Sequence, residues 1–239
     1  MKIAVNQPNY LPWLGYFDLI DTVDKFVFLD NVEYTRNSVI SRNKISNKIG
    51  NSRWLSLSLN KTFFHDSISQ KTLIRECLDS HLNIISDYYC KTPYFKEVLE
   101  FLNYNYERKN SNNLSKFNSN LIKSICNLIG INCEFFNSSD IEKCKSLKST
   151  KKIFCILDQF EYTNYYNFAR GVDIGLYDKN EFSRKEKLLF KQDYRHPVYS
   201  RANFQPFMSI VDLLFYELPN ALEIVRSGRN WILMNPEIL

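Results

Sequence analysis

The stretch KIAVNQPNYLPWLGYFDLIDTVDKFVFLD, residues 2–30, decides the fold. Lys2–Val5 is a short apolar run of strand length. The next eight residues, Asn6 to Trp13, hold two prolines and two asparagines, which mark a loop. Leu14, Phe17, Leu19, Ile20 and Val23 then recur at helical spacing, which predicts a helix of about ten residues from near Trp13, with Pro12 suited to its first turn. Lys25–Asp30 is a second apolar strand ending in a carboxylate. Strand, loop, helix and strand in that order make a βαβ unit and call for a parallel sheet. In such a sheet the Asn6–Trp13 loop and Asp30 both stand at the carboxyl edge, where open α/β sheets hold their ligands.

Reading outward, Asn31–Gly50 is polar and basic, with Arg36, Arg42, Lys44 and Lys48, and is expected to be a loop or lid. Trp54–Leu59 alternates apolar with polar, the pattern of a half-buried strand. Lys71–Cys90 reads as an amphipathic helix interrupted by Pro93, Phe95–Tyr104 as a second helix, Ser111–Ser119 as a polar break, and Leu121–Ile129 as a third helix stopped by Gly130. Ile131–Phe136 is expected to be a strand, Leu147–Phe160 helix or strand–helix, and Leu188–Tyr194 a strand. Tyr162–Gly171 gives no readable pattern. Ser209–Tyr216 and Ala221–Ser227 read as C-terminal helices, with Gly228 as a stop. The expected fold class is α/β: a Rossmann-like, mostly parallel sheet beginning with a βαβ unit, with a helical insertion at about residues 70–130 and C-terminal helices, all in one domain over residues 1–239.

Composition narrows the function. With 239 residues and 44% hydrophobic side chains, the chain can bury a core without staples. Its six glycines make neither a G-x-G-x-x-G turn nor a G-x-x-x-x-G-K phosphate loop, which excludes a P-loop NTPase and a glycine-fingerprint Rossmann enzyme. The three histidines form no H-E-x-x-H helix, and the six cysteines no C-x-x-C pair, so no metal is expected. The thiols read as reduced core filler. The first residues do not make a signal peptide, and no run approaches the ~20 apolar residues of a membrane helix, so a cytoplasmic protein without membrane insertion is expected. A net charge of +5 suits an anionic small molecule; it is not a nucleic-acid signature, and no nucleic-acid partner is expected.

Five features carry candidate chemistry. In the first loop Gln7 offers a donor and an acceptor, Tyr10 and Trp13 a stacking wall, and Gly15 a close approach to the backbone, or else the prolines stiffen an ordinary βα loop around a core tryptophan. Asp30 suits a ribose, metal or amine contact, or is a helix N-cap or turn aspartate. Arg42, followed by Asn43, sits in a polar loop, where its guanidinium could fork onto a phosphate or carboxylate or stay solvated. In Tyr194-Arg195-His196-Pro197-Val198-Tyr199, His196 is a candidate general base or a structural histidine. Asp212, among apolar residues, must be paired if buried.

Together these blocks resemble the WbqC-like family. The resemblance covers NQPNYLPWLGYFDLI at 6–20, DKFVFLDNVEYTRNSVISRNKI at 24–45, WLSLSL at 54–59, YRHPVYS at 194–200 and NFQPFMSIVDLLFYELPNALEIV at 203–225. It implies a cytoplasmic bacterial protein of surface-polysaccharide (O-antigen or capsule) biosynthesis that transfers an acyl or aminoacyl group to the amine of a nucleotide-linked deoxyamino sugar. The donor would be an acyl-CoA, an acyl carrier protein or ATP plus an acid, with other pathway enzymes as further partners. The catalytic candidates are then Gln7, Asp30 and His196, and the substrate-binding candidates Asn6, Tyr10, Trp13, Gly15, Tyr16, Arg42, Asn43, Arg195 and Tyr199. The family pattern usually has histidine where this chain has Asn6, and an amide cannot take a proton. The family's Y-x-S-G-like segment stands here as Phe168-Ala169-Arg170-Gly171. The opening layout is also similar to HIGH-type nucleotidyl-transferring folds, without the second histidine of that motif. That likeness keeps open a ligase that activates a carboxylate with ATP; the Asn6 substitution keeps open a non-catalytic nucleotide-sugar-binding accessory protein.

Overall fold

The computed structural model describes residues 1–61, 65–107 and 111–238. Strand β1 (Lys2–Asn6) is followed by helix α1 (Leu14–Thr22) and strand β2 (Lys25–Phe28), which lies parallel to β1 with Ile3 opposite Lys25 and Asn6 opposite Phe28. This is the expected βαβ unit. The chain then leaves the sheet. It forms the antiparallel hairpin β3 (Arg42–Ser46) and β4 (Ser52–Ser56), the short pair β5 (Ser58–Leu59) and β6 (Leu73–Ile74), and helices α2 (Glu76–Tyr89), α3 (Phe95–Tyr106) and α4 (Leu114–Ile129). It returns as β7 (Glu134–Asn137), then α5 (Ser149–Leu157), β8 (Asn164–Phe168), α6 (Ala169–Asp173), α7 (Lys179–Arg184), β9 (Leu188–Gln192), α8 (Ile210–Glu217), α9 (Ala221–Ser227) and β10 (Trp231–Leu233). The sheet order is β7-β2-β1-β8-β9-β10, parallel throughout except for β10. Strand order reverses between β1 and β8, which makes that gap the topological switch point of a Rossmann-like sheet.

Side-chain alternation along the strands sets the layers. Ala4, Phe26, Phe28 and Tyr166 point to one face and pack with α1, α4, α8 and α9. Ile3, Val5, Val27, Tyr165 and Leu189 point to the other and pack with α5 and Phe182 of α7. Both faces are covered, as the continuous apolar reading of β1 and β2 requires.

Several local expectations are corrected. Asn31–Gly50 is not all loop: Arg42–Ser46 is β3, zipped to β4 with Lys44 opposite Trp54. The Trp54–Leu59 run is split between β4 and β5 and lies outside the main sheet. The helix expected from Lys71 starts only at Glu76. The Ser111–Ser119 break is largely the start of α4. Asn113 caps it by accepting from the Lys116 amide at 3.1 Å, and Ser115, Asn118 and Ser119 face inward. At the other end of α4, Gly130 takes the left-handed φ of +83° that a helix stop favours. The unreadable segment contains β8, a central strand whose Asn164 and Asn167 hide its apolar period. Cys144 and Cys155 are not reduced filler: the turn into α5 brings their Cα atoms to 5.7 Å and they form a disulfide. No helix of the described residues is long and apolar enough to cross a membrane.

Candidate functional site

A cleft of about 680 Å³ opens beside the β3–β4 hairpin, lined by Glu33, Tyr34, Arg36, Ser41, Arg42, Ser56, Asn60, Lys61 and Lys71, among others. The β-strand period builds its chemistry. Arg42 and Lys44 lie two apart on one face of β3, and Trp54 of β4 lies across from Lys44. The Arg42 guanidinium carbon sits 4.4 Å from the Trp54 ring centroid, and the Lys44 ammonium 4.9 Å from the same ring. Trp54 is 43% exposed, so stacking, not a hydrophobic core, orients this guanidinium. The Arg42 Nε is buried with no hydrogen-bond partner. Among the described residues no carboxylate pairs with Arg36, Arg42 or Lys61, whereas Lys71 lies 3.4 Å from Asp66. Tyr34 and Ser41 are joined hydroxyl to hydroxyl at 2.7 Å on the same wall. The arrangement is a cationic, partly aromatic hollow that can hold a phosphate or carboxylate by a forked guanidinium.

The hairpin is stitched to the body by the 201–205 segment. Arg201 donates to the Ser46 and Asn47 carbonyls, Asn203 to that of Lys48 and Gln205 to that of Gly50. Arg201 also pairs at 2.9 Å with Asp212, which accepts from Tyr89 and Tyr199; both charged side chains are wholly buried. Asp212 is thus the paired buried aspartate that its apolar surroundings demanded, and Tyr199 belongs to this network rather than to a ligand wall.

The other sequence candidates separate into distinct places. Asn6, at the end of β1, donates through Nδ2 to Asn167 Oδ1 at 2.9 Å, a bond that spans the switch point. Asn167 in turn donates to the Val5 carbonyl and to the Tyr165 and Tyr177 hydroxyls. Gln7 is half-buried, and its carbonyl accepts from Tyr16, whose ring is core. Tyr10 is no stacking wall: it is fully buried, and its hydroxyl donates to His81 Nδ1 at 2.8 Å and bonds Tyr106. His81 Nε2 donates to the Ser56 carbonyl at 3.2 Å, and burial pulls this imidazole down to about 4. Gly15 does not open the backbone to a ligand. A Cβ there would run into the Trp13 indole, so the glycine makes room for that ring. Asn43 is buried and donates to the Leu11 carbonyl at 2.7 Å, which ties the hairpin to the opening loop. Trp13 does meet His196: their rings stack at 6.4 Å within a group that includes Tyr194 and Phe207. His196 Nδ1 donates to the Pro197 carbonyl, and burial lowers its pKa from the ordinary imidazole value. Arg195 is exposed and gives its backbone amide to Gly228.

Asp30 ends β2 in a nest of donors. Its Oδ1 accepts from Ser138 Oγ at 3.1 Å and the Ser139 amide at 2.9 Å, and its Oδ2 from Ser115 and Ser139 Oγ, both at 2.9 Å. It is 3% exposed. Lys152 is buried nearby, with its ammonium on the Asn31 and Lys145 carbonyls; burial lowers its pKa while the Asp30 charge opposes that shift. Neither Asp30 nor the Asn6–Trp13 loop lines the cationic cleft, so among the sequence candidates Arg42 alone stands there. Sequence reasoning passed over Trp54, Lys61, Lys71 and Glu33. The one signal for them was the Arg-x-Lys alternation at 42–44 against an exposed tryptophan.

A family model described as "WbqC-like protein family" matches residues 7–224. The chain belongs to this family. The matched span takes in the opening loop, the hairpin, the whole cleft and α8. A relative in Mycobacterium tuberculosis, "Uncharacterized protein Rv1507c", is 32% identical over 235 residues, 95% of this chain and 99% of its own length. No solved structure gives a significant match.

Proposed function

We propose that this WbqC-like protein binds a nucleotide-linked amino sugar in the cationic cleft and transfers an acyl or aminoacyl group to its amine, in bacterial surface-polysaccharide biosynthesis. The observation that carries the reading is the set of Arg36, Arg42 and Lys61, cations without carboxylate partners among the described residues, around a hollow of about 680 Å³. That volume suits a small ligand. A diphosphate supplies the opposite charges, and the Trp54-stacked guanidinium of Arg42 presents a fork that matches phosphate oxygens. Acyl transfer to an amino sugar is what the resemblance to the family implies, with an acyl-CoA, an acyl carrier protein or ATP plus acid as donor.

The test is calorimetric titration with UDP-, dTDP- and GDP-linked amino sugars, followed by mass spectrometry for an acylated product. One of these nucleotides is expected to bind, and Arg42→Ala to weaken it by about 10- to 100-fold, the equivalent of one charge-assisted contact. No binding by any of them, or unchanged affinity in Arg42→Ala, would refute the reading. A second reading, ATP-dependent activation of a carboxylate, draws on the strand order, and ATP–pyrophosphate exchange with an acid would reveal it.

A further inference from the structure

Charges of both signs line the cationic cleft, and they stay apart. Arg36, Arg42 and Lys61 share its wall with a single acidic side chain, Glu33. Among the described residues Glu33 makes no ion pair with any of these three cations. Its side-chain contact is with His65, whose Nδ1 lies 3.1 Å from Oε1; Oε2 accepts no hydrogen bond from the described residues. The Glu33 side chain is 58% exposed.

The main chain holds this separation. Residues 32–34 run along 66–68: the Ile68 amide donates to the Val32 carbonyl and the Tyr34 amide to the Asp66 carbonyl, both at 3.0 Å, and Glu33 bridges Ser67 between them. Arg42 belongs to β3, which is zipped to β4 instead. The negative charge and the stacked guanidinium are thus carried by two separately anchored pieces of backbone. The buried Arg42 Nε has no partner, so the hollow leaves hydrogen-bonding capacity unmet on its cationic side as well as at Glu33 Oε2.

A hollow with uncompensated charge of both signs is complementary to a ligand that carries both. A nucleotide-linked sugar with a free amine is such a ligand, because its diphosphate is anionic and its protonated amine cationic. A nucleoside diphosphate or triphosphate alone meets Glu33 as a like charge, and that repulsion is itself a source of discrimination. We infer that Glu33 is the specificity-determining residue of the cleft, its carboxylate pairing with the ammonium of the sugar while the cations hold the diphosphate; this rests on the proposed binding of a nucleotide-linked amino sugar.

Calorimetric titration of the intact protein tests it with three ligands for each nucleotide: the UDP-, dTDP- or GDP-linked amino sugar, the same compound with a hydroxyl in place of the amine, and the nucleoside diphosphate alone. The amino sugar is expected to bind about tenfold tighter than its hydroxyl counterpart, the low end for a charge-assisted contact because Glu33 is more than half exposed. Glu33→Gln keeps the shape and an oxygen for His65 but removes the charge. It is expected to lose the preference and to bind the nucleoside diphosphate at least as tightly as the unmodified protein does. Glu33→Asp, which restores the charge, is expected to recover part of the preference. Arg42→Ala is expected to weaken all three ligands and leave their order unchanged. Equal affinity for amine and hydroxyl forms, or a preference that survives Glu33→Gln, with binding still dependent on Arg42, would overturn the role of Glu33 and leave the cleft intact. Failure of every sugar nucleotide to bind would overturn both this role and the proposed function.

Discussion

Replacing Asp30 by asparagine separates a structural carboxylate from a catalytic one. The Ser139 amide can only donate, so the new amide must keep its oxygen at the Oδ1 position and turn its NH₂ toward Ser115 and Ser139 Oγ. Those two hydroxyls can rotate to accept. The variant therefore keeps every contact but replaces charge-assisted bonds, worth roughly 1.5–3 kcal/mol, by neutral ones worth roughly 0.5–1.5. Four such exchanges amount to about 4 kcal/mol, of which relief of the buried charge's desolvation offsets roughly half, leaving about 2 kcal/mol. In a chain of this size that lowers Tm by roughly 4–8 °C. Asp30→Ala leaves the serine donors unmet and removes the charge facing the buried Lys152 ammonium, so about 3–5 kcal/mol is expected. Urea unfolding checks both, with a fall in midpoint at constant slope. Affinity for a sugar nucleotide should be unchanged in Asp30→Asn, because Asp30 does not line the cleft. An asparagine variant as stable as the parent, or one whose ligand affinity collapses while its stability holds, would refute the reasoning.

Other expectations follow from the same contacts. His81 titrates at about 4 when folded against 6.5 ordinarily, so its contribution is complete above about pH 6.5 and drains as pH falls toward 4. The loss reaches about 3 kcal/mol, and His81→Gln should flatten that acid limb of the stability profile. Gly15→Ala drives a Cβ into the Trp13 indole and should cost about 1–3 kcal/mol, with a shifted tryptophan emission; an unchanged spectrum would contradict the packing. Arg201→Met strands the buried Asp212 carboxylate and should cost about 3–5 kcal/mol by chemical unfolding, whereas a neutral effect would mean the pair is not closed in solution.

The βαβ start was legible because β1, α1 and β2 each keep one clean apolar period. Helices α8 and α9 were legible for the same reason. β8 was not, because Asn164 and Asn167 interrupt its period, and Asn167 earns its place through partners in Val5, Tyr165 and Tyr177 that no local window contains. α4 was cut short because Ser115, Asn118 and Ser119 look like loop residues, yet Asn118 is buried and donates to the Pro8 and Ile40 carbonyls. Arg42 could be picked out as a cation in a polar stretch. Its company could not, since Lys61 and Lys71 reach the same hollow only through the β5–β6 pairing. Tyr10 and Tyr16 misled because a tyrosine in a proline-rich loop looks available, whereas their hydroxyls satisfy groups inside the core.

The stitch between the 201–205 segment and the hairpin grips main-chain oxygens of Ser46, Asn47, Lys48 and Gly50. Every amino acid offers such an oxygen, so the anchorage is indifferent to which side chains the flap displays. Positions 42, 44 and 54 can accordingly be randomised together in a library without unfastening the scaffold, because only side chains on the hairpin's outward face are rewritten.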